Sequence, residues 1–153
     1  LVRVQASDPV GDVFRAESSD AWGQLGSALE RISKEGGVVL YMHLYGGRSA
    51  ESLLGMLRAH LLPARGEENA EQRVPPKGNA LRDFGTGAQI LLHLGLNRLR
   101  LLTNNPRKIA GLNGYGLTVV ERVPIGVETT EANEGLLKVK AGALGHLLDF
   151  PKA

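Results

Sequence analysis

Residues 103–108, TNNPRK, bring together side chains that can bind an anion. They supply a hydroxyl, two amides, a guanidinium and an ammonium within one short turn. Arginine makes forked contacts with phosphate oxygens and lysine adds a point charge, so the turn suits a phosphate-bearing ligand. Asparagine and proline are also ordinary turn and helix-cap residues, and that role alone explains the same six residues.

Few other patterns in the chain indicate chemistry. There is no cysteine, which excludes disulfides and every thiolate metal site. The histidines follow no metal-binding spacing such as HExxH, so core or rim positions explain them better than a new metal site. The four are His43, His60, His93 and His146. Ser18 and Ser19 lack the G-x-S-x-G context of a nucleophile, and GGRS, residues 46–49, is too short for a P-loop.

Strand-like and helical segments alternate along the chain, which predicts the α/β class with a mixed or parallel β-sheet covered by helices. The predicted strands are LVRV, VVLYMHL, RLRLLTN and LTVVERVPI, and VVLYMHL has the continuous apolar character of a buried strand. Helices are predicted over residues 21–35, after GGRS, over residues 80–94, after TNNP, and near the C-terminus. The last carries Leu136, Leu137, Leu144 and Leu147. Residues 7–20 and 63–78 are predicted to be loops.

Length and composition favour one globular domain over residues 1–153. The chain is 42% hydrophobic and 22% charged, and its net charge of +2 is too small to indicate a nucleic-acid binder. No apolar run is long enough to span a membrane, and no signal peptide opens the chain. Because the first residue is Leu1 rather than methionine, we expect a further segment or domain to precede it.

Four segments, in their order and spacing, resemble GTP cyclohydrolase II. They are LRDFGTGAQIL, RLLTNNPRKIAGL, GYGLTVVERVPI and GHLLDF. The resemblance extends over almost the whole chain and is strongest in residues 81–125. It implies the fold of that family, and an ancestral zinc enzyme that opens the imidazole ring of GTP, releasing formate and pyrophosphate at the start of the riboflavin pathway.

The resemblance places the family's zinc ligands and catalytic groups on residues that differ from them. The three cysteine ligands fall on Asp8, Ser19 and Ala21, so the implied zinc site is lost and no cofactor is expected. The proposed proton acceptor falls on Ala80. The arginine that the family is proposed to use as a nucleophile remains as Arg82, which is equally explained by an ion pair with its neighbour Asp83. Other changed positions are Gln5, Ser7, Gly46 and His60.

The retained positions belong to the part of the family's site that binds the substrate. They are Arg3, Gln24, Gly47, Arg48, Thr103 and Lys108. The resemblance therefore implies a nucleotide-binding set whose ligand is GTP or another phosphate. Solvated surface charges are the alternative interpretation of Arg48 and Lys108.

Three functions are compatible with changed catalytic positions beside retained substrate-binding positions. The first is a catalytically silent domain that serves as a structural or regulatory module, either in a larger assembly or fused to a dihydroxybutanone-phosphate synthase domain. The second is a pseudoenzyme that binds GTP or a related phosphate. The third is a hydrolase with residual or metal-independent activity. The resemblance implies a homodimer or a partner protein, and an intracellular location, either the cytoplasm or a plastid.

Overall fold

The computed structural model describes residues 1–17, 19–43, 54, 57, 80–126, 128–131, 133–142, 145 and 147, and for residues 80–83, 136 and 139 it describes the backbone alone. Several sequence predictions concern residues outside this set. The helix after GGRS, apart from helical Leu54 and Leu57, and the loop of residues 63–78 lie there.

The described strands form a four-stranded sheet in the order β2-β1-β3-β4, and each pairing is parallel. The strands are β1 (Val2–Ala6), β2 (Val38–Met42), β3 (Arg98–Leu102) and β4 (Thr118–Val123). The helices are α1 (Pro9–Asp12), α2 (Ala21–Glu35), α3 (Ala80–His93), α4 (Pro106–Asn113) and α5 (Glu134–Gly142). The α/β prediction is confirmed.

Side chains that alternate along the strands build two apolar cores. One core joins Val2 and Val4 of β1 to Ala88 and Leu91 of α3, and it also includes Leu112 of α4. The other core lies against α2. It contains Ala28, Ile32, Leu102, Val123 and Ile125. Because neighbouring strand residues point to opposite faces, Arg3 and Gln5 of β1 face away from the first core, toward the side that α2 covers.

The TNNPRK turn follows the internal strand β3 and leads into α4, as the sequence predicts. Asn105 caps α4, since its side chain accepts a hydrogen bond from Arg107 N at 2.9 Å, and Pro106 occupies the first helical turn. The Thr103 hydroxyl accepts a hydrogen bond from Asn105 N at 3.0 Å. These residues therefore form both the turn and the N-terminal cap of α4.

Three local predictions are wrong. The loop predicted over residues 7–20 contains helix α1, because Asp8 caps it by accepting from Gly11 N at 3.2 Å. The strand predicted over residues 38–44 ends at Met42, and each of its five residues is half-buried since β2 pairs only with β1 in the described sheet. Leu147, predicted to lie in the last helix, lies outside α5 and is 53% exposed.

Candidate functional site

A buried arginine connects two strands and a helix at the centre of the candidate site. Arg3 is 3% exposed and donates four hydrogen bonds. Its Nε and Nη2 reach Gln5 Oε1 at 3.0 and 2.5 Å, Nη2 also reaches Gln24 Oε1 at 2.6 Å, and Nη1 reaches the Leu102 carbonyl at 3.0 Å. Burial lowers the pKa of Arg3 to about 10, although the charge of Asp20 opposes this shift.

Asp12 extends this network through Gln5. Its carboxylate accepts hydrogen bonds from Gln5 Nε2 at 3.0 Å, from Asp8 N at 2.8 Å and from the Tyr41 hydroxyl at 2.8 Å. A carboxylate that is 3% exposed requires such partners, because an unpaired buried charge costs several kcal/mol. Asp12 therefore fixes α1 against β1 and β2.

The positions that the resemblance assigns to zinc ligands lie together and are joined by hydrogen bonds. Ser19 Oγ donates to Asp8 Oδ2 at 3.1 Å and accepts from Ala21 N at 3.1 Å. Gly11 allows this close approach, since a Cβ there would lie 2.4 Å from Ser19 Oγ and 2.7 Å from Asp8 Oδ2. We call Asp8, Ser19 and the Ala21 amide the clasp.

The donor set of the clasp does not fit the family's zinc. Zinc is held by thiolates, imidazoles or carboxylates, and here only Asp8 supplies such a ligand, since the other two side chains are a neutral hydroxyl and a methyl group. Both Asp8 oxygens already accept hydrogen bonds. Within the described ranges, no three histidine, aspartate or glutamate side chains group as a metal site requires.

Asp20 ties the C-terminal helix to this region. Its side chain, which is wholly buried, forms an ion pair with Lys140 of α5 and accepts a hydrogen bond from Gln24 Nε2 at 2.5 Å. Gln24 thus lies between Arg3 and Asp20, and both ends of its amide are used. The network runs without interruption from β1 through α2 to α5.

Lys108 of α4 brings a third cation to the same region. Its Nζ donates to the Val4 carbonyl at 2.9 Å. Burial, together with the positive charges of Arg3 and Lys140, lowers the pKa of Lys108 to about 7. Three cations therefore face two carboxylates, Asp12 and Asp20, and Lys108 is the cation with the least compensation.

The structure brings four of the six predicted nucleotide-binding residues to one end of the sheet. Arg3, Gln24 and Lys108 belong to the network just described, and Thr103 directly follows Leu102, the Arg3 acceptor. Gly47, Arg48 and the changed positions Gly46 and His60 lie outside the described residues, as do the side chains of Ala80 and Arg82. Any contact of the Arg48 and Arg82 side chains with Lys108 therefore also lies outside the described residues.

Sequence reasoning did not identify Asp12, Asp20, Tyr41 and Lys140 as members of the network. Asp20 stands between two of the lost ligand positions, which was a usable signal. Lys140 lies 120 residues from Asp20 along the chain, so no local pattern could have paired them. None of the helices in the ranges described above is long and apolar enough to cross a membrane.

The clasp should contribute measurably to stability. Ser19→Ala removes one donor and one acceptor at half-buried positions, so we expect the free energy of unfolding to fall by about 1–2 kcal/mol in urea denaturation. Ser33→Ala is the matched control, because its exposed hydroxyl bonds only to the Glu30 carbonyl, and it should cost under about 0.5 kcal/mol. Equal losses in the two variants would show that the clasp has no special role.

Lys108 should make stability depend on pH. In the unfolded chain its pKa is the ordinary 10.5, whereas in the folded protein it is about 7. Between these values only the unfolded chain holds the proton, so the free-energy cost of burying Lys108 is greatest below pH 7 and falls as pH rises from 7 toward 10. The stability of Lys108→Met relative to the parent should therefore be highest at pH 6 and should decline through pH 9, as measured by urea denaturation.

The control for this pH series is Lys34→Met. Lys34 is exposed and pairs with Glu30 on the surface of α2. The difference in the free energy of unfolding between Lys34→Met and the parent should stay constant between pH 6 and 9. A Lys108→Met difference that is equally flat would contradict the lowered pKa.

Comparison with known proteins identifies the family of this chain. The GTP cyclohydrolase II family model matches residues 1–124. The riboflavin biosynthesis proteins RibBA of Bacillus cereus strain G9842 and Bacillus mycoides strain KBAB4 are each 50% identical to this chain over 152 residues, and that of Bacillus cytotoxicus is 49% identical. Each match covers 98% of this chain and 38% of the relative, so the chain spans well under half the length of these curated relatives. The chain belongs to the GTP cyclohydrolase II family.

Proposed function

We propose that this chain is a catalytically silent GTP cyclohydrolase II domain that serves as a structural or regulatory module of riboflavin biosynthesis. The observation that carries the proposal is the clasp: where the resemblance implies three zinc thiolates, a carboxylate and a hydroxyl bond to each other and to a backbone amide. These groups stabilise the loop without supplying a Lewis acid or an activated water. The name of the Bacillus relatives supports the assignment to riboflavin biosynthesis.

The loss of the base supports the same conclusion. Ala80 stands where the family has its proposed proton acceptor, and an alanine side chain cannot take up a proton. Removing a general base alone typically lowers a rate by about 10²–10⁴-fold. The retained residues Arg3 and Gln24 hydrogen-bond to each other and to the protein interior, which is the arrangement of a structural network. A module of this kind acts through a homodimer or through a partner protein or domain.

The purified chain should contain no stoichiometric zinc and should release no formate from GTP above background, even with added zinc. Elemental analysis and a formate assay measure the two quantities, with a three-cysteine family member as positive control. Asp8→Ala should leave both readings unchanged. Near one zinc per chain, lost on Asp8→Ala and accompanied by formate release, would overturn the proposal.

The excess of buried cations favours a second candidate, a nucleotide-binding pseudoenzyme. Arg3, Lys108 and Lys140 outnumber the carboxylates Asp12 and Asp20, so a polyphosphate beside Lys108 would offset uncompensated positive charge. Against this, the Arg3 and Lys108 donors are engaged within the protein. The silent module remains the better supported function.

Isothermal titration with GTP separates the two candidates. For the silent module we expect no saturable heat at pH 6.5 or at pH 8.5. A pseudoenzyme that uses Lys108 would bind more tightly at pH 6.5, because the pKa of about 7 leaves the ammonium neutral at the higher pH. Lys108→Met would abolish that pH dependence, while Lys34→Met would preserve it.

A further inference from the structure

A cleft of about 560 Å³ opens beside the loop that joins α1 to α2. One side consists of Arg15, Glu17 and Trp22, and the opposite side is the segment that leads into α5, including Glu128 and Glu131. Ser19 of the clasp and Asp20 of the Arg3 network also line the cleft, so the cleft adjoins both the altered metal position and that network. None of the functions considered above uses this surface.

The loop presents an unusual amount of exposed apolar surface. Val13 is 65% exposed, Phe14 is 80% exposed and the Trp22 indole is 38% exposed. The Arg15 guanidinium carbon lies 4.0 Å from the centroid of the Trp22 ring, so the indole face already accepts a guanidinium by a cation–π contact. Arg15 has φ of 56°, a left-handed conformation that costs a residue with a Cβ about 1 kcal/mol or more.

The rim of the cleft carries negative charge that the described part of the protein leaves unpaired. Glu17, Glu128 and Glu131 are exposed, and their carboxylates form no ion pair or hydrogen bond with the described residues. This acidic rim contrasts with the net charge of the chain, which is +2.

The backbone that carries two of these carboxylates is well ordered by hydrogen bonds. Buried Asn133 accepts from Thr130 N at 2.9 Å and donates to the Glu128 carbonyl at 3.0 Å. Glu128 and Glu131 are therefore held on one wall of the cleft before any ligand arrives, which lowers the entropy cost of binding.

We propose that this surface docks a protein segment in which arginine alternates with apolar side chains. The incoming guanidinium takes the place of Arg15 on the Trp22 ring and pairs with Glu128 and Glu131, while its apolar neighbours cover Val13 and Phe14. The acidic rim repels phosphate-bearing partners, and the exposed apolar side chains offer area that a small polyamine cannot cover. The inference rests on the proposed function, because it names the chemistry of the partner that a silent module would require.

Trp22 makes the inference directly testable, since it is the only tryptophan of the chain and its fluorescence reports on the cleft alone. The probe is a synthetic peptide of alternating arginine and leucine, titrated into the full chain. A peptide with citrulline in place of arginine keeps the shape and removes the charge. We expect a saturable fluorescence change with the arginine peptide and a dissociation constant at least about tenfold weaker with the citrulline peptide. Spermine should produce no comparable saturation.

Paired charge variants locate the binding site. Glu128→Gln combined with Glu131→Gln should weaken arginine-peptide binding about tenfold or more, and Phe14→Ser should weaken it independently. Glu30→Gln combined with Glu134→Gln makes the same change in charge on the exposed faces of α2 and α5 and should leave binding unchanged. Thermal melting of each variant confirms that the fold is retained.

An absent fluorescence change, equal binding of the arginine and citrulline peptides, or equal effects of the two charge pairs would overturn the docking inference. Saturation by spermine with the same affinity would show a site for small cations instead. None of these results changes the formate assay. Formate release, in turn, would overturn the silent function and leave the peptide measurements valid.

Discussion

The burial of the Arg3 guanidinium is the constraint on which the candidate site depends. A buried cation is tolerable only if its N–H groups find acceptors and carboxylates lie near enough to offset its charge. Gln5, Gln24 and the Leu102 carbonyl supply the acceptors, and Asp20 and Asp12 supply the charge. These partners come from two strands and two helices, so satisfying one side chain fixes the relative positions of β1, β3, α1 and α2.

The clasp lies next to this network and is likewise held together by hydrogen bonds within the protein. Asp12 links the two, because it accepts from Gln5 on one side and from the Asp8 amide on the other. A metal ion could hold the same loops in place through thiolates, and its binding energy would then be part of the folding energy. In this chain several hydrogen bonds, each worth about 1 kcal/mol, hold these loops together. The described loop geometry is therefore accounted for by hydrogen bonds among the protein's own groups.

The sequence predicted the layers of this fold better than its polar interior. Hydrophobic spacing located α2 and β3, and the Asn105 cap followed from TNNP. The helix α1 was missed because four residues carry too little periodicity to distinguish a turn of helix from a loop. The apolar run at β2 predicted burial, but an edge position, which composition alone does not reveal, leaves its residues half-buried. The Asp20–Lys140 pair depends on contacts between distant segments, so only the folded chain brings it together.

Asp20 separates two regions of opposite electrostatic character, and this separation bears on where the proposed silent domain recognises other molecules. On its inner side lie Arg3 and Lys140, whose charges it partly offsets. On its outer side it borders the cleft, where the glutamates at the rim lack such compensation within the described chain. An anion would gain from the inner region only by displacing donors that already hold the fold together. A cationic side chain at the cleft displaces only the exposed Arg15 side chain from the indole, and the carboxylates there are exposed to solvent. Once the inner residues are committed to structure, recognition is therefore favoured at the cleft.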